Sequence, residues 1–104
     1  MINTKNSKII TDSVFSVVNP TSIILFGSYA KNLETKDSDM DICVITEENK
    51  NPFDIMTALR LKLFDKLNEA VDIVVYDKNS FDSRKTVVNT FEHEIYSTGV
   101  KLYV

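Results

Sequence analysis

The chain holds one cysteine, one histidine, two glycines and two prolines among 104 residues. Each scarcity excludes something. With Cys43 alone, no disulfide forms within the chain. His93 has no second histidine to share a zinc ion. No apolar run is long enough to span a bilayer, and no amino-terminal stretch has the apolar core of a secretion signal. These absences lead us to expect a cytoplasmic protein. Positive charge is also short. Twelve Lys and Arg face fifteen Asp and Glu, a formal net charge of -3, which suits the phosphate backbone of nucleic acid poorly. No repeat, linker or low-complexity tract breaks the chain, so residues 1–104 read as one domain. Hydrophobic residues at 43% and charged ones at 26% are ordinary for a packed globular domain.

What is present centres on one run. Gly27-Ser28 is followed, ten residues on, by Asp39-Met40-Asp41. Ile23-Ile24-Leu25-Phe26 leads in, and Ile42-Cys43-Val44-Ile45 leads out. A small-residue turn thus ends one apolar strand, and two carboxylates open the next. The turn offers backbone N–H groups to phosphate, and the carboxylates offer hard oxygen ligands to cations. Alternation along a strand points Asp39, Asp41 and Cys43 one way and Met40, Ile42 and Val44 the other, into a core. Two aspartates on one face repel unless a cation or solvent intervenes. Asp72 is a third candidate, because it interrupts the apolar run Val71–Tyr76, where a charge is costly unless paired or metal-bound. Cys43, within a core strand, reads as a buried structural thiol.

These residues resemble the minimal nucleotidyltransferases of the DNA polymerase β-like superfamily. Gly-Ser, Asp-x-Asp at this spacing, the flanking strands and a later strand Asp carry the resemblance together, over nearly the whole chain. The family usually has glycine where this chain has Asn32; Asn tolerates the left-handed backbone better than most residues. The resemblance implies a small mixed sheet with helices packed against it, an α/β (α+β) fold. It implies that Asp39, Asp41 and Asp72 are catalytic and bind two Mg²⁺ ions, with Asp72 near the attacking hydroxyl. It implies that Gly27, Ser28 and Lys31 bind the nucleotide, ATP in the first instance. For Lys31 a plain solvated lysine is an equal reading. The chain leaves no room for an acceptor-binding domain, so the resemblance points to a partner: a HEPN-type helical toxin, adenylylated on a tyrosine by this protein as antitoxin. The alternative is an inactive antitoxin that neutralises its partner by covering it.

The remaining pattern predicts the elements. Residues 1–6 are polar and read as a fraying end. Helical spacing of Ile10, Val14, Val17 and Val18 predicts a helix from 7 to 18, ended by Asn19-Pro20. Strands follow over 21–26, 39–46 and 71–76. A short helix is expected over 28–33. Asn51-Pro52 predicts the start of a long helix whose Phe53, Met56, Leu59, Leu63, Phe64 and Leu67 face the core. One last helix, capped by Asn79 or Ser80 with Val87, Val88, Phe91 and Ile95 inward, stops at Gly99. Residues 101–104 read as an edge strand or a tail. Asp77 reads as a turn residue, Asp37 as solvated and His93 as exposed between Glu92 and Glu94. Tyr29 either contacts a nucleotide base or packs on the surface.

Overall fold

A computed structural model describes residues 3–67 and 69–104. Eight elements follow in order: α1 (Thr4–Val17), β1 (Pro20–Phe26), β2 (Met40–Thr46), α2 (Pro52–Leu67), β3 (Val71–Asp77), α3 (Lys78–Arg84), α4 (Phe91–Thr98) and β4 (Val100–Tyr103). The four strands form one mixed sheet in the order β3-β2-β1-β4. β1 runs antiparallel to both β2 and β4, whereas β2 and β3 are parallel.

The period-2 alternation sorts the strands onto two cores. Ile23, Leu25, Met40, Ile42, Val44, Val71 and Ile73 face α1 and α2, meeting Ile10, Val14, Ile55, Leu59 and Leu63. Ile24, Phe26, Cys43 and Ile45 face the other way, against Phe81 of α3 and Ile95 of α4. Each fully buried aliphatic side chain contributes roughly 1.5–3 kcal/mol, so both layers hold the sheet. Asp41 and Asp72, out of phase with the larger core, fall on the α3–α4 side.

Sequence cues set the helix ends. Asn3 caps α1 by accepting from the Asn6 N–H, so residues 4–6 are helical where a fraying end was expected; residues 1 and 2 lie outside the described residues. The Asn51 side chain accepts from the Phe53 N–H and opens α2 as expected. Within α2 the buried row is Ile55, Leu59, Leu63 and Leu67, while Phe53 and Phe64 are 70% exposed. The apolar residues of α2 span too wide an arc for one buried stripe, and packing against α1 and β3 selects the row that includes Ile55.

The last helix is two helices. Asp77, not Asn79 or Ser80, caps α3 by accepting from the Ser80 N–H. Residues 85–90 leave the helical path, with Asn89 at φ 71°, and Val87 and Val88 are exposed. Thr90 then opens α4: its Oγ1 accepts from the His93 N–H at 3.1 Å. The β-branched run Thr86-Val87-Val88 is a weak helix former, and Asn-Thr ahead of Glu92 and Glu94 is a start signal. Gly99 does end α4, by close packing: a Cβ there would stand 2.4 Å from Ile24 Cγ2. β4 completes the sheet against β1.

Candidate active site

The site forms where β1 ends and β2 begins. Gly27 adopts φ +73°, open to glycine and strained for other residues. Its missing side chain matters as much. A Cβ on Gly27 would sit 2.2 Å from Asp41 Oδ2. Gly27 is therefore the space that the Asp41 carboxylate occupies.

Residues 27–32 form successive turns in place of the expected short helix. The Leu33 N–H donates to the Ser28 carbonyl at 2.9 Å, and Lys31 N–H reaches the carbonyls of Gly27 and Ser28. Asn32 has φ 58°, and with Gly27 it brackets the segment with left-handed backbone that no helix accommodates.

Asp41 pairs in register with Phe26 of β1 and with Asp72 of β3. It is half-buried, while Asp72 and Asp39 are exposed, Asp39 lying just before β2. Burial, then Asp72, then Asp39 push the Asp41 carboxyl above the usual carboxylate range. Among the described residues, none of these three aspartates has a lysine or arginine within ion-pair distance. Nor, among the described residues, are three metal-ligating side chains already gathered around one point. The strands thus bring Asp41 and Asp72 together, with the charge of Asp39 beside them.

A cavity of about 480 Å³ opens over this pair, lined by Phe26, Gly27, Asp41, Asp72, Phe91 and Glu94 among others. Lys31 stands at its rim, donating from Nζ to Glu94 Oε1 at 2.7 Å. The Lys31 ammonium holds the Glu94 carboxyl below its ordinary value. The lysine is therefore engaged with α4. Tyr29 packs against the larger core; burial, then the charge of Glu69, raises its pKa. His93 is partly buried, with Nδ1 2.9 Å from the Lys85 carbonyl, tying α4 to the preceding turn. Cys43 is fully buried, and burial pushes its thiol up to about 12.

Phe91 and Glu94 are site-lining residues that the sequence pattern assigned to a core stripe and a polar face. The signal for them was the Thr90 cap, which starts a new helix and turns this short segment toward the carboxylates.

A four-stranded mixed sheet, helices on both faces and strand carboxylates beside a glycine turn are the marks of a nucleotidyl-transfer fold. The chain matches the nucleotidyltransferase domain family over residues 7–96, and it belongs to that family. It is a nucleotidyltransferase. A candidate protein adenylyltransferase of Methanocaldococcus jannaschii is 32% identical over 81 residues, 78% of this chain and 76% of that one. A chain of a toxin–antitoxin complex crystallised with AMP-PNP superposes with a TM-score of 0.72 at 25% identity, over 94% of this chain and 73% of that chain. A chain of the complex between a tri-AMPylated Shewanella oneidensis HEPN toxin and an MNT antitoxin has the same fold, with a TM-score of 0.66 at 21% identity, over 95% of this chain and 70% of that one.

Proposed function

We propose that this nucleotidyltransferase moves AMP from ATP to a tyrosine hydroxyl of a HEPN-type toxin and thereby acts as its antitoxin. The observation that carries the reading is the Asp41 carboxylate, seated in the space left by Gly27 and paired in register with Asp72 inside one cavity. The relatives support the donor and the acceptor: one bears an adenylyltransferase description, one complex holds AMP-PNP, and one holds an AMPylated HEPN toxin.

The donor set fits a hard divalent cation. It is all oxygen, and the mutual repulsion that raises Asp41 is what a cation relieves. Asp39, Asp41 and Asp72 would hold Mg²⁺, which when bound supplies positive charge against the triphosphate and the leaving pyrophosphate. The chain's own residues do the rest. Gly27 and Ser28 bring backbone to the phosphates without a blocking side chain. Lys31 adds a cation at the rim. Asp72 accepts the proton of the attacking hydroxyl. That oxygen then bonds to the α-phosphorus as the bond to the β-phosphate bridging oxygen breaks, releasing pyrophosphate.

Asp72 also borders a second groove of about 360 Å³, lined by Arg60, Phe64 and Glu69 among others. Donor and acceptor thus have separate approaches that meet at one carboxylate. The alternative, a purely steric antitoxin, leaned on Asn32 in place of glycine. Asn32 takes the left-handed backbone and the turn closes, which supports the active reading.

Label transfer from α-³²P-ATP, with the protein, Mg²⁺ and its host lysate, tests the reading. We expect one labelled protein band, absent with EDTA and with Asp41→Asn. A preparation that captures a partner yet transfers no label under any divalent cation would favour the steric alternative.

A further inference from the structure

The cavity over Asp41 and Asp72 has one wall that phosphate chemistry does not use. Phe26 and Val74 contribute apolar surface, and Phe91 projects into the opening from the first position of α4. Phe91 is 50% exposed, although its neighbour Phe26 is buried. The two rings meet edge to face, with centroids 5.6 Å apart and an interplanar angle of 84°. Phe26 is itself the cross-strand neighbour of Asp41. One side chain therefore separates a half-open aromatic ring from the central carboxylate.

The ring is also held in place. Thr90 caps the helix that carries it, and His93 ties the same turn to the Lys85 carbonyl. Glu92, the next residue, accepts from Arg84 Nε at 2.8 Å and from the Tyr76 hydroxyl at 2.8 Å. A fixed, partly open ring is preorganised for a flat partner. Of the other aromatic side chains only Phe26 lines this cavity; Phe53 is exposed on α2, away from it. Tyr29 packs in the larger core, Tyr96 lies beneath Lys85 and Lys101, and Phe15 meets Tyr103. Phe64 borders the neighbouring groove, which lacks Gly27 and Asp41.

We propose that Phe91 is the platform on which the base of the bound nucleoside triphosphate stacks, while its phosphates lie toward Gly27, Asp41 and Asp72. The inference rests on the nucleotidyltransferase reading and adds the subsite for the base. Stacking uses the π-face common to all bases, so Phe91 adds affinity for any nucleotide, purines most by their larger area.

Calorimetric titration of the full chain with Mg-ATP and, separately, with Mg-tripolyphosphate tests this. Tripolyphosphate has the phosphates but no base. Phe91→Ala should weaken ATP binding by roughly 5- to 100-fold and leave tripolyphosphate unchanged, which also shows that the variant is folded. Phe91→Tyr should restore ATP affinity to within about 3-fold of the parent. Unchanged ATP affinity in Phe91→Ala would overturn the subsite and leave the transferase reading standing. Equal loss for both ligands would overturn it too, since the ring would then be serving the phosphate end. A parent protein that binds neither ligand would overturn the transferase reading and the subsite together.

Discussion

At the scale of single residues, Gly27 has the clearest consequence. Two demands coincide there, a left-handed backbone and a vacancy for Asp41 Oδ2. Gly27→Ala should cost about 1–2 kcal/mol of stability from backbone strain and should lower transfer by at least ~10-fold, because the carboxylate must move. Urea denaturation and label transfer read the two effects; a variant equal to the parent in both would refute the assignment. Cys43 shows the opposite condition, a residue with no exposure and no site role. With its thiol pushed up to about 12, it should resist iodoacetamide at pH 8, reacting at least ~100-fold faster once the chain is unfolded. Mass spectrometry of native and denatured samples decides this, and equal rates would show that the thiol is accessible. The facing of Asp41 was legible in sequence because alternation along β2 gives it, whereas Asp39 falls just outside that strand. The partnership of Gly27 with Asp41 was not legible, because it depends on the antiparallel register that sets Phe26 opposite Asp41.

At the scale of elements, α4 is the piece that joins scaffold to site. Thr90 Oγ1 accepts from the His93 N–H and lies 2.8 Å from the Val87 carbonyl and 3.0 Å from that of Arg84. Thr90→Ala should destabilise the protein by about 1 kcal/mol and weaken ATP binding as well, since Phe91 follows directly. Thermal melting and calorimetry together test it; a loss of stability with nucleotide affinity intact would detach α4 from the site. This region also marks where sequence pattern stops being informative. Val87, Val88, Phe91 and Ile95 fit one continuous helix by spacing, and spacing does not reveal that Asn89 turns left-handed. In α2 a similar ambiguity hid the difference between Leu63, which is buried, and Phe64, which is exposed. Periodicity identifies an amphipathic helix, but the neighbours choose which row is covered. The first three strands were read closely, because each carries a dense run of β-branched and apolar residues bounded by polar residues or proline.

At the scale of the whole molecule, charge sets the response to acid. Glu92 is the buried acid of the α3–α4 side, and Arg84, with help from Tyr76, holds its carboxyl below the ordinary value. The folded chain therefore binds fewer protons at this site than the unfolded chain near pH 4. Its stabilisation is fully present above the ordinary glutamate value of about 4.3 and is lost as pH falls through the lowered one. The stability gap between the parent and Glu92→Gln should thus be widest near neutrality and shrink below pH 4 in denaturant titrations. A gap that ignores pH would show that Glu92 acts through packing alone. None of the described helices is long and apolar enough to cross a membrane. The sheet order has a further effect on timing. β1, near the start, is finally bordered by β4, made of residues 100–103. During synthesis the carboxylate strands emerge well before α4 and β4. A nascent chain thus carries its acidic cluster before the wall that faces it exists, and the central strand waits with one edge bare. Closing that long loop is the slow, late event expected of such non-local pairing. Until α4 arrives, the polypeptide has its carboxylates without the Phe91 and Glu94 that wall the cavity, so nucleotide binding should appear only once α4 has docked.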